Sequence, residues 1–235
     1  MSGRRSKRSV RGVGKRSAGE LARPPRAALP DWMGDSRVFL PQGYEAGYRY
    51  PLLVWLPGAN PFDLGRAMSR VSLRNFVAVQ AAPPATGADI AEPVWEAIDR
   101  ACSRLSVHPD RIYLVGQGEG GRDAFRIACR QPRAFAGVVS LGGGFPLDEA
   151  LFARIADVRR LPMLLCAPRD ADEAAAAQTD RTLRLFHAAG AQLALRIYPA
   201  AETDNVSRAM LTDVNRWVMD GVCGAAEPRR AAYAT

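Results

Sequence analysis

Histidine is scarce in this sequence, and long apolar runs are absent. His108 and His187 are the two histidines among 235 residues, so few side chains could act as a base at neutral pH. No apolar run approaches the roughly 18 residues of a membrane-spanning helix. No apolar segment of about seven residues follows the basic start either, which argues against a secretory or twin-arginine signal. We expect a cytoplasmic protein without a transmembrane segment. The Arg- and Ser-rich first 19 residues leave a mitochondrial transit peptide as the alternative.

Cysteine is also sparse, and its spacing does not suggest a metal site. Cys102, Cys129, Cys166 and Cys223 form no C-x-x-C pair. Three of them lie in apolar helix or strand patterns, so we predict buried free thiols rather than disulfides or zinc ligands. No metal and no cofactor are predicted.

Lysine is missing beyond residue 15, and the excess positive charge is confined to one end. Residues 1–30 contain nine Lys or Arg and one acid, Glu20, which leaves 23 Arg and 23 acids for the remainder. This first segment is rich in Gly, Ser, Pro and Arg and has no apolar periodicity, so we predict a disordered basic tail with weak affinity for polyanions. One domain over residues 31–225 and a C-terminal tail over 226–235 complete the predicted organisation.

The rest of the chain alternates apolar strand-like segments with amphipathic helices. This pattern predicts a mostly parallel sheet with helices on both faces and ligand sites at the carboxyl ends of its strands. The predicted strands are residues 37–40, 50–56, 75–80, 111–116, 135–141, 162–167 and 192–198. The predicted helices are residues 62–70, 91–107, 120–131, 147–158 and 173–189, with a last helix from about residue 206.

One of these strands runs into a glycine-rich turn, "LVGQGEGGRDAF" (residues 114–125). Gly116, Gly118 and Gly121 match the G-x-G-x-x-G dinucleotide fingerprint. That motif also needs an acid about twenty residues later, at the end of the next strand, but this strand ends in "LGGG" and the next acid is Asp148. Glu119 would also place negative charge beside the phosphates. The pattern therefore argues against a dinucleotide site.

The same turn also fits G-x-S-x-G, the nucleophile elbow of serine hydrolases, with glycine at the central position. Five segments resemble the phospholipase/carboxylesterase group of α/β-hydrolases, in the order of that family: "FLPQGYEAGYRYPLLVWLPGAN", "VHPDRIYLVGQGEGGRDAF", "FAGVVSLGGGFP", "LPMLLCAPRD" and "FHAAGAQLALRIYPAAE". The resemblance implies an α/β-hydrolase fold. It also implies a serine nucleophile, an acid and a histidine in three turns at one edge of the sheet.

Carried onto this sequence, the family pattern is degenerate. The acid matches Asp170, but the nucleophile position is Gly118 and the histidine position falls near Thr203. The family's His-Gly oxyanion stretch reads Pro57-Gly58-Ala59. The backbone amides of Ala59 and Glu119 could still serve as oxyanion donors, although the Glu119 carboxylate would disfavour a developing negative charge.

No other residue is expected to replace the lost groups. His108 and His187 belong to the opposite edge of the predicted sheet, roughly 20 Å from Gly118 if each strand residue rises about 3.3 Å. Glycine offers no atom for an acyl intermediate. We therefore predict an inactive or strongly impaired homologue that binds a small molecule, an ester-like ligand or a protein partner.

The alternative is an active ester hydrolase that uses carboxylates or a metal at the same pocket. Five acids, Glu119, Asp170, Asp172, Glu202 and Asp204, map to the same edge and could raise one another's pKa or hold a cation. Their spacing does not identify a metal.

The charge distribution predicts that deletion of residues 1–30 abolishes association with polyanions. The full chain should bind nucleic acid or heparin weakly, with a log-log salt slope of about 0.7 to 0.9 per neutralised phosphate. A gel-shift or anisotropy titration at several salt concentrations measures the affinity of the full-length and the truncated protein. Equal affinity of the truncated and full-length proteins would contradict the prediction.

Overall fold

A computed structural model describes residues 37–56, 58–59, 62–85, 88–145, 155–169, 173–201 and 205–224. The predicted basic tail and C-terminal tail lie outside the described residues.

The described strands form one seven-stranded sheet in the order β1-β3-β2-β4-β5-β6-β7. β1 pairs antiparallel with β3, and every other neighbouring pair is parallel. The strands are β1 Val38–Phe39, β2 Tyr50–Leu56, β3 Val77–Gln80, β4 Val107–Gln117, β5 Gly137–Leu141, β6 Met163–Pro168 and β7 Leu193–Tyr198.

Helices connect most of the parallel strands and cover the sheet. They are α1 Leu64–Val71, α2 Glu92–Arg104, α3 Glu119–Arg130, α4 Ile155–Val158, α5 Glu173–Ala188 and α6 Arg208–Gly224. The Asp63 side chain caps α1 by accepting a hydrogen bond from the amide of Arg66 at 2.9 Å. None of the helices in the described segments is long and apolar enough to cross a membrane.

Two apolar cores form because successive strand side chains point to opposite faces of the sheet. All seven residues of β2 are buried, which is typical of a central strand covered on both sides. Leu52 and Val54 belong to the core that includes residues of α2 and α3, whereas Leu53 and Trp55 belong to the core that includes residues of α1 and α6.

This architecture confirms the predicted parallel sheet with helices on both faces. Several boundaries differ from the prediction by a few residues. The clearest case is β4, which begins at Val107 rather than at residue 111, because Val107 pairs with Tyr50 before the register shifts; α2 accordingly ends at Arg104 rather than at residue 107. The prediction of buried thiols holds for Cys129 and Cys166 but is wrong for Cys102 and Cys223, which are exposed. Cys102 lies on the solvent side of α2, where an apolar residue can be tolerated singly.

The connection between β4 and α3 depends on glycine at positions where the backbone is crowded. A methyl group at Gly116 would overlap the carbonyl of Gly120 and the amide nitrogen of Gly121. A methyl group at Gly121 would overlap the side-chain oxygen of Ser140 in β5. The first turn of α3 therefore lies directly against the ends of β4 and β5.

This crowding predicts that Gly116→Ala destabilises the protein by at least about 3 kcal/mol, since the obstructing atoms are backbone. The melting temperature should then fall by roughly 6 °C or more for a chain of this size. Gly47→Ala is the matched control, because nothing lies within 4 Å of a methyl group there. Thermal unfolding followed by circular dichroism measures the melting temperatures of both variants. Equal melting temperatures would contradict the crowding described at Gly116.

Candidate functional site

Gly118 occupies the turn between β4 and α3 in a conformation that suits glycine. Its φ of 54° and ψ of −121° are close to the first central position of a type II′ turn, where the backbone of other residues is strained. The amide of Gly118 donates to the carbonyl of Leu141 at 2.9 Å, and its carbonyl accepts from the amides of Gly121 and Arg122 at 3.0 and 3.2 Å. Backbone hydrogen bonds therefore define the turn.

The space beside Gly118 could hold a side chain. A methyl group built there has nothing within 4 Å, and the residue is half-buried at the protein surface. In contrast, a methyl group at Gly143 in the next loop would overlap the carbonyl of Gly118. The turn is thus tightly packed beneath its backbone and open on the side where a nucleophile would project.

Hydrogen bonds link the carboxyl ends of four neighbouring strands. The amide of Gly142 donates to the carbonyl of Cys166 at 2.8 Å, and the amide of Arg169 donates to the carbonyl of Tyr198 at 2.6 Å. With the bond from Gly118 to Leu141, these contacts place the turns after β4, β5, β6 and β7 along one edge. That edge is where parallel sheets bind their ligands.

Three of the predicted site residues, Pro57, Asp170 and Thr203, lie outside the described residues. Asp170 directly follows Arg169, and Thr203 follows the described Ala201 by two positions. Their described neighbours belong to the edge that carries Gly118.

The structure brings the two predicted oxyanion segments together. Leu56, the last residue of β2, pairs with Gly116 of β4. Gly58 lies close to the end of β4, since a methyl group added at Gly58 would be 2.8 Å from the carbonyl oxygen of Gln117. Ala59 follows in an exposed position. At the start of α3, no hydrogen bond from the amides of Glu119 or Gly120 is found in the described part of the chain. These amides are free donors at the positive end of a helix.

Carboxylates counter this positive character. Glu119 is exposed in the first turn of α3, and Asp123 lies one turn later, 3.1 Å from the guanidinium of Arg126. Burial raises the pKa of Asp123 above its usual value, the charge of Arg126 opposes that rise, and the charge of Glu119 adds to it. The first turn of α3 therefore combines amide donors with negative side chains, which favours a neutral ligand over an anionic one.

A half-buried polar contact that the sequence did not reveal lies beside the predicted histidine turn. The hydroxyl of Tyr198, the last residue of β7, donates to Oδ2 of Asp213 in α6 at 2.6 Å. Burial and this hydrogen bond raise the pKa of Tyr198. Burial also raises the pKa of the neighbouring Cys166 thiol to about 12, so the thiol is protonated and unreactive at neutral pH. The contact joins the two elements that flank the turn.

The two histidines are remote from this edge, as expected. His108 lies at the start of β4, whereas Gly118 follows its end. Burial and the charge of Arg111 lower the pKa of His108, and its Nδ1 accepts a hydrogen bond from the amide of Asp110 at 3.2 Å. His187 is exposed in the last turn of α5. His108 is therefore at the opposite end of β4 from Gly118, and His187 is in the helix that leads to the start of β7.

The predicted acid cluster is described at Glu119; Asp170, Asp172, Glu202 and Asp204 lie outside the described residues. Within the described segments, no group of three or more His, Cys, Asp or Glu residues is arranged to hold a metal ion.

Comparison with known proteins links this architecture to esterases. A ferulic acid esterase superposes with a TM-score of 0.63 at 15% identity, covering 78% of this chain and 90% of the esterase. A thermostable esterase superposes with a TM-score of 0.59 at 14% identity, covering 78% of this chain and 58% of that one. The chain thus has an α/β-hydrolase fold.

Sequence similarity is more limited. The chain is 40% identical over 53 residues to the proposed esterase NocK of Nocardia uniformis subsp. tsuyamanensis, which covers 23% of this chain and 15% of NocK. No family model matches the sequence. The chain therefore spans a small part of its curated relative and just over half of the thermostable esterase.

The geometry at Gly118 predicts a moderate cost for a side chain there. Gly118→Ala should lose about 1 to 3 kcal/mol of stability, because the positive φ is strained for alanine while the space is open. Gly43→Ala is the matched control, since Gly43 also has a positive φ, of 73°, and an open surrounding. In thermal unfolding, both variants should have higher melting temperatures than Gly116→Ala. A loss at Gly118 as large as that at Gly116 would show that the space is obstructed.

Proposed function

We propose that the protein is a degenerate member of the phospholipase/carboxylesterase type of α/β-hydrolases that binds a ligand without cleaving it. Gly118 carries the proposal: the turn has the position and the open side of a nucleophile elbow but lacks a nucleophilic atom. The degenerate triad comprises Gly118 at the nucleophile position, Asp170 as the retained acid and Thr203 at the histidine position.

The missing groups account for a loss of catalysis. Acyl transfer needs an oxygen or sulfur that forms the covalent intermediate and a base that removes its proton. In subtilisin, removal of the serine or histidine lowers kcat by about a millionfold. His108 lies at the start of β4, whereas Gly118 follows its end, and His187 lies at the end of the helix before β7, so neither is positioned to supply the base.

The features that remain are those of a binding site. The free amides of Glu119 and Gly120 can donate to a carbonyl oxygen, and the open space beside Gly118 can take a group that a serine would otherwise occupy. The Glu119 carboxylate favours an uncharged acceptor. A small molecule with an ester-like or amide-like carbonyl fits this chemistry. We propose the cytoplasm as its location, and the basic tail as a separate, weak contact to polyanions.

An ester hydrolysis assay tests this proposal. Purified protein should release p-nitrophenol from p-nitrophenyl acetate and butyrate no faster than Gly118→Ala, because the reaction lacks a nucleophile in both. Turnover by the unmodified protein that is lost in Gly118→Ala would overturn the proposal. Turnover that survives in Gly118→Ala but is lost in Glu119→Gln would instead favour a carboxylate-assisted hydrolase.

Reconstruction of the triad gives a second test. Gly118→Ser alone and Thr203→His alone should stay inactive, since triad members act as a unit. The double variant should recover trace esterase activity through Asp170, and adding Asp170→Asn should reduce that activity again. Strong activity in either single variant would show that the site has been assigned to the wrong residues.

A further inference from the structure

A cleft on the face of the sheet opposite to α3 has a chemistry that the turn at Gly118 does not explain. It lies between α1 and α6, has a volume of about 530 Å³ and is lined by Ser69, Arg70 and Arg208. This volume falls within the roughly 300 to 1,000 Å³ of small-molecule pockets. None of the residues of the turn contributes to the cleft, so a ligand there would be independent of the proposed function.

Among the described residues, no carboxylate forms an ion pair with the two arginines of the cleft. Both side chains are exposed, and neither forms an ion pair within the described segments. The nearest acid on α1 is Asp63, which is engaged in capping that helix. On α6, the carboxylate of Asp213 is shared between the hydroxyl of Tyr198 and the guanidinium of Arg216.

Further features add positive potential at the same place. Arg66 precedes Arg70 by one helical turn, on the same side of α1, and has no ion pair among the described residues either. Arg208 is the first residue of the 17-residue helix α6, whose N-terminal end carries a partial positive charge. Ser207 satisfies the amide of Met210 at 3.2 Å, which leaves the amide of Arg208 at the start of the helix without a partner in the described part.

We propose that this cleft binds a small soluble molecule through a phosphate group. Arg70 and Arg208 line the cleft from separate helices, so that one guanidinium could donate to each side of a bound dianionic oxyanion. Guanidinium donors match phosphate geometry and form charge-assisted hydrogen bonds with it. The hydroxyl of Ser69, which donates to the carbonyl of Arg66 at 2.8 Å, can rotate to donate to a third phosphate oxygen. A carboxylate ligand carries a single negative charge, so we expect it to bind these two arginines more weakly than a phosphate does.

Isothermal titration of the full chain with inorganic phosphate and pyrophosphate, at constant ionic strength, tests the proposal. Saturable binding is expected, with acetate weaker than phosphate. Arg70→Gln and Arg208→Gln should each weaken phosphate binding by about tenfold or more, the usual loss of a charge-assisted hydrogen bond. Arg100→Gln, which removes an exposed arginine from α2 near the opposite core, is the matched control and should retain wild-type affinity.

The variants also separate the cleft from the basic tail, which is present in all of them. Phosphate affinity that is the same in wild type, Arg70→Gln and Arg208→Gln would assign binding to the tail and overturn the proposal. Absence of saturable phosphate or pyrophosphate binding would overturn it as well. Melting temperatures within about 2 °C of wild type, expected for exposed substitutions, verify that the variants are folded.

Discussion

The close approach of β4, α3 and the loop after β5 is the constraint on which the candidate site depends. Gly116 lies against Gly120, Gly121 lies against Ser140, and Gly143 lies against the carbonyl of Gly118. Because a side chain at any of these glycines would overlap its neighbour, the backbone of the turn is held from below and from both sides. Ser140 strengthens this arrangement by donating from its buried hydroxyl to the carbonyl of Gly143 at 2.8 Å. The positive φ at Gly118 is therefore imposed by its surroundings.

This constraint separates the shape of the turn from its chemistry. A serine at the elbow contributes a reactive oxygen, but it contributes none of the backbone hydrogen bonds that hold Gly118. The scaffold can therefore lose the nucleophile and keep the open space, the free amides and the neighbouring turns. Glycine also adopts the positive φ without strain, so the absence of a side chain at this position is compatible with a stable turn. A hydrolase fold can become a binding protein by this route without rebuilding its active-site edge.

Much of the fold could be predicted from local patterns, since apolar strands and amphipathic helices alternate with turn residues. The turn at Gly118 was also recognisable, because its glycine spacing is a local signal. Contacts between distant segments could not be predicted from local patterns. The hydrogen bond from Tyr198 to Asp213 and the cleft that Arg70 and Arg208 line both result from packing between elements that are far apart in sequence. The exposure of Cys102 and Cys223 and the early start of β4 were missed for the same reason. The exposure of the two cysteines and the start of β4 depend on how neighbouring elements pack and pair.

Labelling with a fluorophosphonate, followed by intact mass spectrometry, tests the central claim most directly, because the reagent reports an activated serine whether or not a substrate is known. If Gly118 stands at the nucleophile position, as we propose, no adduct should form after prolonged incubation at neutral pH, while a serine esterase treated in parallel is fully labelled. A stoichiometric adduct on the unmodified chain, located by peptide mapping to any serine at this edge, would contradict the account.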